Sequence, residues 1–186
     1  MRAAMDERTP GIRPAPSLGR RLDAASRQAV PFVATLALML LFSLPLGLLD
    51  QAALLPASAL VCVFFFSLHR PAALPPPAVF VLGVVLDLLA YLPLGVGTLV
   101  LLVVCALTNR ARRFLLRHGF PTHWATFVLI AAFVALLTWL LNTLLLFRAL
   151  PAGPVLFQFA IAAALYPALH APLAWANATI ADPDRA

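Results

Sequence analysis

The chain has 186 residues, of which 63% are hydrophobic and only 11% are charged, and its mean hydropathy is +0.97. These values lie far outside the range of soluble domains, so the composition predicts an integral membrane protein. All thirteen basic residues are Arg and the net charge is +6. Because Arg residues beside apolar segments set the orientation of a membrane protein, we interpret this charge as a topology signal and expect no nucleic-acid binding.

The first 29 residues carry six Arg and three acidic residues together with Pro and Ala, and they contain no apolar run. This composition predicts a disordered cytoplasmic tail over 1–29. The first apolar run begins near residue 30 and is as long as a membrane span, so we do not expect a cleaved signal peptide. Residues 177–186 are expected to form a second, short cytoplasmic tail.

Six apolar segments follow the N-terminal tail, and each predicts a transmembrane helix, since roughly 20 residues at 1.5 Å rise cross the hydrocarbon. They are 30–49, 52–68, 77–92, 94–109, 124–147 and 154–176. The third and fourth are short and only LPLG separates them, so a single broken element is the alternative to two spans. Pro45, Pro56 and Pro167 lie within the predicted spans and are expected to bend them. The expected fold is an all-α membrane protein, a six-transmembrane-helix bundle over 30–176.

The Arg positions test this arrangement. With both termini in the cytoplasm, twelve Arg residues lie inside and only Arg148 lies outside. A five-span arrangement would move 110–117 to the other face of the membrane. The cytoplasmic set includes Arg70 and a run formed by Arg110, Arg112, Arg113 and Arg117.

The run NRARRFLLRHGF at 109–120 combines Arg residues with an apolar face, and three interpretations stay open. In the first, the run is a topology determinant only. In the second, it lies along the anionic inner leaflet, where each Arg contributes around 1 kcal/mol to membrane binding. In the third, it docks a cytoplasmic partner.

A single acid, Asp87, lies in the otherwise apolar stretch VFVLGVVLDLLAYLPLG at 79–95. Counted from the cytoplasmic end of its span, Asp87 is expected roughly 15 Å deep, near the middle of the membrane. An ionised carboxylate there costs about 2.5–3.5 kcal/mol, so the group must be protonated, paired or facing a wet cavity. One hypothesis is a proton or cation site of a carrier. The other is a neutral, hydrogen-bonded acid that holds the bundle or a membrane partner, and the scarcity of other ionisable groups favours it.

Tyr166, Pro167 and His170 form a second polar cluster in the last span. Tyr166 and His170 have the i, i+4 spacing that places two side chains on one helix face. One hypothesis is that they complete a polar network around Asp87. Asn142 and Gln158 are expected to form interhelical hydrogen bonds, worth about 0.6 kcal/mol each.

Motifs for catalysis or metal binding are missing from the sequence. It has no GxSxG, HExxH or GxxxxGK[ST], and Asp50 and Asp87 are the only acids between residues 24 and 181. Cys62 and Cys105 lie apart in apolar runs, without a CxxC pattern. We therefore expect no enzymatic activity, no metal and no cofactor.

Two stretches carry a resemblance to a known family. SLHRP at 67–71, followed by FVLGVVLDLLAYLPLGVGTL at 80–99, resembles the bacterial rod shape-determining protein MreD family, whose members have a G-x-x-x-D stretch and then a P/T-L-G turn. The matching residues are Gly83, Asp87, Pro93, Leu94 and Gly95. Leu165-Tyr166-Pro167 is similar to the aromatic-Pro pair in the family's final helix.

The resemblance implies a non-enzymatic inner-membrane protein of the rod complex, involved in cell shape and in the coordination of peptidoglycan synthesis. The implied direct partner is MreC, with MreB, RodA and its transpeptidase as wider neighbours, and the implied fold is similar to the S-component of energy-coupling-factor transporters. Within that interpretation, Gly83 allows close helix approach, Asp87 bonds within the bundle or to the turn, and Pro93 to Gly97 fix the outer hairpin. The alternative function is a small-solute or vitamin-binding membrane component of a transporter. The candidate structural or partner-interface residues are Arg70, Pro71, Gly83, Asp87, Pro93, Gly95, Tyr166, Pro167 and His170.

Overall fold

The computed structural model describes residues 18–44, 51–90, 93–147 and 151–181, and within these ranges it contains helices and no strand. The all-α prediction is therefore confirmed for the described residues. The six helices are α1 (Leu18–Ser43), α2 (Gln51–His69), α3 (Pro76–Leu89), α4 (Val96–Leu115), α5 (Phe120–Leu146) and α6 (Gly153–Ala181).

Two of these helices are long and apolar enough to cross a membrane. The qualifying segments are Phe120–Leu145 in α5 and Gly153–Trp175 in α6. Three further apolar helical segments are shorter, namely Ala29–Ser43, Ala53–His69 and Pro76–Leu89. The lengths are thus compatible with a membrane protein, with α5 and α6 as its candidate spans.

Several helix ends differ from the predicted ends. Helix α4 continues to Leu115, past the predicted end at 109, and α5 begins at Phe120, before the predicted start at 124. Helix α1 begins at Leu18, inside the predicted disordered tail, because LGRRLDAASRQ is rich in the helix formers Leu, Arg and Ala. Helix α3 stops at Leu89, before the predicted end at 92, and α6 continues to Ala181, past the predicted end at 176. Pro45 and Arg148, which the sequence analysis placed in a span and in an outer loop, lie outside the described residues.

Helix α2 forms the centre of the bundle. It packs against α1, α4 and α6, and its run VCVFFFSL at 61–68 is buried on every side. A helix that is apolar all round is expected at such a position. Its Phe64 makes edge-on ring contacts with Phe127 of α5 at 5.2 Å and with Tyr166 of α6 at 5.6 Å. These contacts join three helices through one side chain.

The outer surface of the bundle is strongly apolar. Leu129 of α5 is 72% exposed, and Leu136, Leu144, Leu88 and Phe80 are each more than half exposed. A soluble monomer rarely exposes so large an apolar surface, because each exposed side chain forfeits hydrophobic stabilisation. The exterior is compatible with a location in lipid.

Helices α3 and α4 form an antiparallel hairpin, so residues 77–109 are two helices and not one broken element. Gly83 of α3 lies directly against Thr98 of α4, and a Cβ atom at Gly83 would collide with the Cα atom of Thr98. The two backbones can therefore approach this closely only because residue 83 has no side chain.

We predict that Gly83→Ala destabilises the protein, because the obstructing atom belongs to the backbone of α4 and cannot turn aside. Overpacking of this kind costs about 1–3 kcal/mol, against a gain of roughly 1 kcal/mol in helix propensity. The thermal unfolding midpoint of the detergent-purified protein measures the effect. Gly153→Ala is the matched control, since nothing lies within 4 Å of its added Cβ atom. Equal midpoints for the two variants would contradict the close contact.

Candidate functional site at the Asp87 turn

The connection between α3 and α4 contains the predicted G-x-x-x-D and P-L-G residues. Helix α3 ends at Leu89, and Pro93, Leu94 and Gly95 lead into α4. Gly95 has a φ of 99°, a left-handed conformation that favours glycine over residues with a Cβ atom. We call Asp87 together with residues 93–98 the Asp87 turn.

Asp87 caps the N-terminus of α4 from the preceding helix. Its Oδ1 accepts a hydrogen bond from the backbone N–H of Gly97 at 2.6 Å. Its Oδ2 accepts bonds from the N–H of Gly95 at 2.9 Å, the N–H of Thr98 at 3.3 Å and the Thr98 hydroxyl at 2.9 Å. The residue at the start of α4, Gly95, has no side chain to cap the helix. Asp87 therefore satisfies backbone N–H groups that a helix otherwise leaves without partners.

All four hydrogen bonds of the Asp87 side chain are donated to its carboxyl oxygens. These donors lie at the N-terminus of α4, and the N-terminus of a helix carries a partial positive charge. The side chain is 1% exposed, so these bonds replace the water that it loses on burial.

Residue 97 must be glycine because the Asp87 carboxyl group lies where a side chain at this position would begin. A Cβ atom at Gly97 would lie 2.5 Å from Asp87 Oδ1, which is closer than real Cβ contacts allow. From the sequence, Gly97 was predicted only as part of the range Pro93 to Gly97, and Thr98 was not predicted as a site residue. One signal could have indicated both residues. No Asn, Asp or Ser lies just before α4 to cap it, so the N–H groups of its first turn, which include those of Gly97 and Thr98, need an acceptor from elsewhere.

Asp87 lies in the last turn of α3, two positions before the helix ends. Because α3 ends at Leu89, the carboxyl group reaches the turn directly, which is one of the two alternatives that the resemblance implied. Its expected position near the middle of the membrane stays a prediction.

Tyr166 belongs to an aromatic cluster and not to the Asp87 turn. Its ring is fully buried and stacks on Phe127 at a centroid distance of 4.6 Å. Its hydroxyl group is buried without a hydrogen-bond partner. The hypothesis of a polar network between Tyr166 and Asp87 is therefore wrong. The i, i+4 spacing correctly places Tyr166 and His170 on one face of α6, but it does not determine which helices pack against that face.

His170 lies near two other histidines that sequence analysis did not single out. Its ring contacts Phe65 at 5.7 Å, and Phe65 stacks on His69 at 4.3 Å. The rings of His69 and His123 are 6.2 Å apart. These histidines come from α6, α2 and α5, far apart in the chain, so no sequence spacing could reveal them. Among the described residues, no group of His, Cys, Asp or Glu is arranged to hold a metal ion.

Two of the predicted basic residues join helix ends. Arg112 of α4 donates from Nε to the carbonyl oxygen of Leu68, at the C-terminus of α2, over 2.9 Å. Arg70 donates to the carbonyl oxygen of Asn177, near the end of α6, over 3.4 Å. Pro71 follows Arg70 in a turn closed by the Ala73 N–H and the Arg70 carbonyl. The C-terminal ends of α2, α4 and α6 therefore lie together.

The remaining predicted residues are separate from the Asp87 turn. Arg110, Arg113 and Arg117 are exposed at the C-terminal end of α4, beside the exposed rings and chains of Phe114 and Leu116. Pro167 lies inside α6. The predicted site residues thus fall into three places, and only Gly83, Asp87, Pro93 and Gly95 lie together at the α3–α4 hairpin.

A cavity of about 240 Å³ opens beside the Asp87 turn. It is lined by residues from α2, α3, α4, α5 and α6, and Leu86 and Gly97 form the wall towards Asp87. Among the lining residues that the structure describes, the hydroxyl and amide side chains are those of Thr138, Asn142 and Gln158, and no side chain is charged. The Oδ1 atom of Asn142 is buried without a hydrogen-bond partner. The interhelical bonds expected for Asn142 are therefore not formed by that oxygen.

Comparison of the chain with models of known protein families, with curated proteins and with solved structures gives no match.

We predict that Asp87→Ala destabilises the protein more than Thr98→Val does. The alanine variant leaves three backbone N–H groups and one hydroxyl without their acceptor, whereas the valine variant removes one hydroxyl and keeps the backbone bonds. Each buried donor left without an acceptor costs about 1–3 kcal/mol. Thermal unfolding midpoints in one detergent rank the two variants, and a larger loss for Thr98→Val would contradict the capping role.

We predict that Tyr166→Phe leaves the stability unchanged or raises it by up to about 1 kcal/mol, because the buried hydroxyl group has no partner to lose. Tyr166→Ala is expected to cost about 3–5 kcal/mol, since it empties the centre of the aromatic cluster. The same unfolding assay measures both. A clear destabilisation by Tyr166→Phe would show that the hydroxyl group is engaged after all.

Proposed function

We propose that this chain is a non-enzymatic scaffold of the bacterial inner membrane, similar to MreD, with six spans and both termini in the cytoplasm. In this role the bundle offers a face within the membrane and an outer rim to MreC. It thereby contributes to cell-shape determination and to the coordination of peptidoglycan synthesis.

The six-span arrangement is supported by the apolar exterior and by the grouping of helix ends. The C-terminal ends of α2, α4 and α6 lie at one end of the bundle, where Arg70 and Arg112 hydrogen-bond to backbone carbonyl groups. Arg residues at one end are what the positive-inside rule requires of a cytoplasmic face. The shorter helices would cross with local thinning of the bilayer, which costs fractions of a kcal/mol per Å of mismatch.

The main support for the scaffold role is that the hydrogen bonds of the Asp87 side chain are made within its own chain. Both carboxyl oxygens already accept hydrogen bonds from residues 95–98, and the side chain is 1% exposed. A carrier needs an acid that exchanges its partners with a proton, ion or solute. The geometry of Asp87 favours cohesion of the α3–α4 hairpin over such exchange.

The choice of partner follows from the MreD resemblance in residues 67–71 and 80–99. This resemblance implies MreC as the direct partner and MreB, RodA and its transpeptidase as wider neighbours. At the other end of α4, the exposed side chains of Arg110, Arg113 and Arg117 lie close to exposed Phe114. Arg residues beside an apolar ring suit the anionic inner leaflet, so membrane lipids are a further proposed partner.

The second candidate function is a small-solute or vitamin-binding component of a transporter. The cavity of about 240 Å³ with three polar side chains is the observation that favours it. Ligand pockets of drug-sized molecules usually measure about 300–1,000 Å³, and this cavity is smaller. No side chain among its described lining residues is charged, so none of them would pair with an anionic or cationic solute.

Crosslinking of native membranes, followed by purification of the tagged chain, tests the proposal. We predict recovery of MreC and other rod-complex proteins. Asp87→Ala should lower the amount of folded protein and of complex together, because the hairpin loses its cap. Recovery of an ATPase coupling module in place of MreC would overturn the scaffold role. Normal accumulation of Asp87→Ala with undiminished MreC would contradict the role of Asp87.

A further inference from the structure

We propose that the cavity beside the Asp87 turn, together with an adjoining groove, binds one uncharged amphiphile that has a hydrogen-bond-donating head and a hydrocarbon tail. This site does not depend on the scaffold role or on any protein partner.

The cavity fits the head of such a molecule. An apolar cavity of about 150 Å³ is large enough for benzene, so about 240 Å³ admits a head of a few non-hydrogen atoms. The buried Oδ1 atom of Asn142 has no hydrogen-bond partner. A buried acceptor in this state costs about 1–3 kcal/mol, and a hydroxyl or amide donor on a ligand would remove that cost.

The groove fits the tail. It lies between α5 and α6, measures about 350 Å³, and is lined entirely by Ala, Leu, Val, Phe and Trp side chains. Trp139 and Val155 line both the groove and the cavity. A molecule with its head beside Asn142 can therefore place its tail along α5 and α6 without crossing a polar surface.

The lining residues that the structure describes offer no charged partner to an anionic head group. None of these described residues around the cavity or the groove is Arg or His. A phosphate group would need such a donor to offset its loss of hydration. The structure therefore favours an uncharged hydroxyl-bearing head, such as that of a monoacylglycerol.

Trp139 provides a direct readout, because bromine atoms on an acyl chain quench tryptophan fluorescence on contact. The experiment uses the full chain with Trp124→Phe and Trp175→Phe, so that Trp139 is the only tryptophan, in detergent micelles. A monoacylglycerol with a dibrominated chain is the probe. Unchanged elution and unfolding midpoint establish that this form is folded.

We predict saturable quenching that the unbrominated monoacylglycerol reverses. Asn142→Leu should weaken apparent binding about tenfold, as expected for one lost hydrogen bond. Asn109→Leu is the matched control, because Asn109 lies near the opposite end of α4 and does not line the cavity. Val155→Phe should also block binding by filling the passage between cavity and groove. Leu129→Phe adds similar bulk on the exposed face of α5 and should have no effect.

Three results would overturn the proposal. Equal quenching by a brominated phosphatidylglycerol, without saturation, would mean contact with surrounding lipid only. Displacement of the probe by glycerol alone would mean that the tail contributes nothing. Binding that Asn142→Leu and Val155→Phe both leave unchanged, in variants that remain folded, would place the ligand elsewhere.

Discussion

The hydrogen bonds between Asp87 and the start of α4 are the interaction on which the α3–α4 hairpin depends. A buried carboxyl group is costly in an apolar bundle, and here four donors and the dipole of α4 offset that cost. The neighbouring glycines follow from this one interaction. Gly95 adopts a left-handed conformation, Gly97 leaves space for the carboxyl oxygen, and Gly83 lets the two backbones meet.

This interaction gives a physical reason for an isolated acid in an apolar chain. The reason does not require that the acid moves an ion. A helix that begins after Pro-Leu-Gly has no side chain of its own to cap its first N–H groups, and in lipid no water replaces a missing cap. An acid in the preceding helix supplies the acceptor from within the bundle. The remainder of the molecule is consistent with a supporting role, since α2 fills the centre with apolar side chains and the outer faces of α3 and α5 expose Leu and Phe.

The features predicted correctly from the sequence depend on local pattern. The predictions that were wrong concern which side chains meet when helices pack against each other. Apolar runs predicted the helical segments, and the resemblance motif brought Gly83, Asp87 and the turn to attention. The end of α3 at Leu89 was missed, so the sequence left open whether Asp87 bonds within the bundle or to the turn. The aromatic surroundings of Tyr166 and the proximity of His69, His123 and His170 depend on how three helices pack, which helical periodicity cannot supply.

Amide hydrogen exchange of the segment 93–101 tests the central claim most directly, because the N–H groups of Gly95, Gly97 and Thr98 are bonded to Asp87 itself. The account predicts slow exchange there in the wild-type protein and much faster exchange in Asp87→Ala, with the segment 124–140 of α5 unchanged. Equal exchange of 93–101 in the two proteins would contradict the account, since the carboxyl group would then not be holding the start of α4.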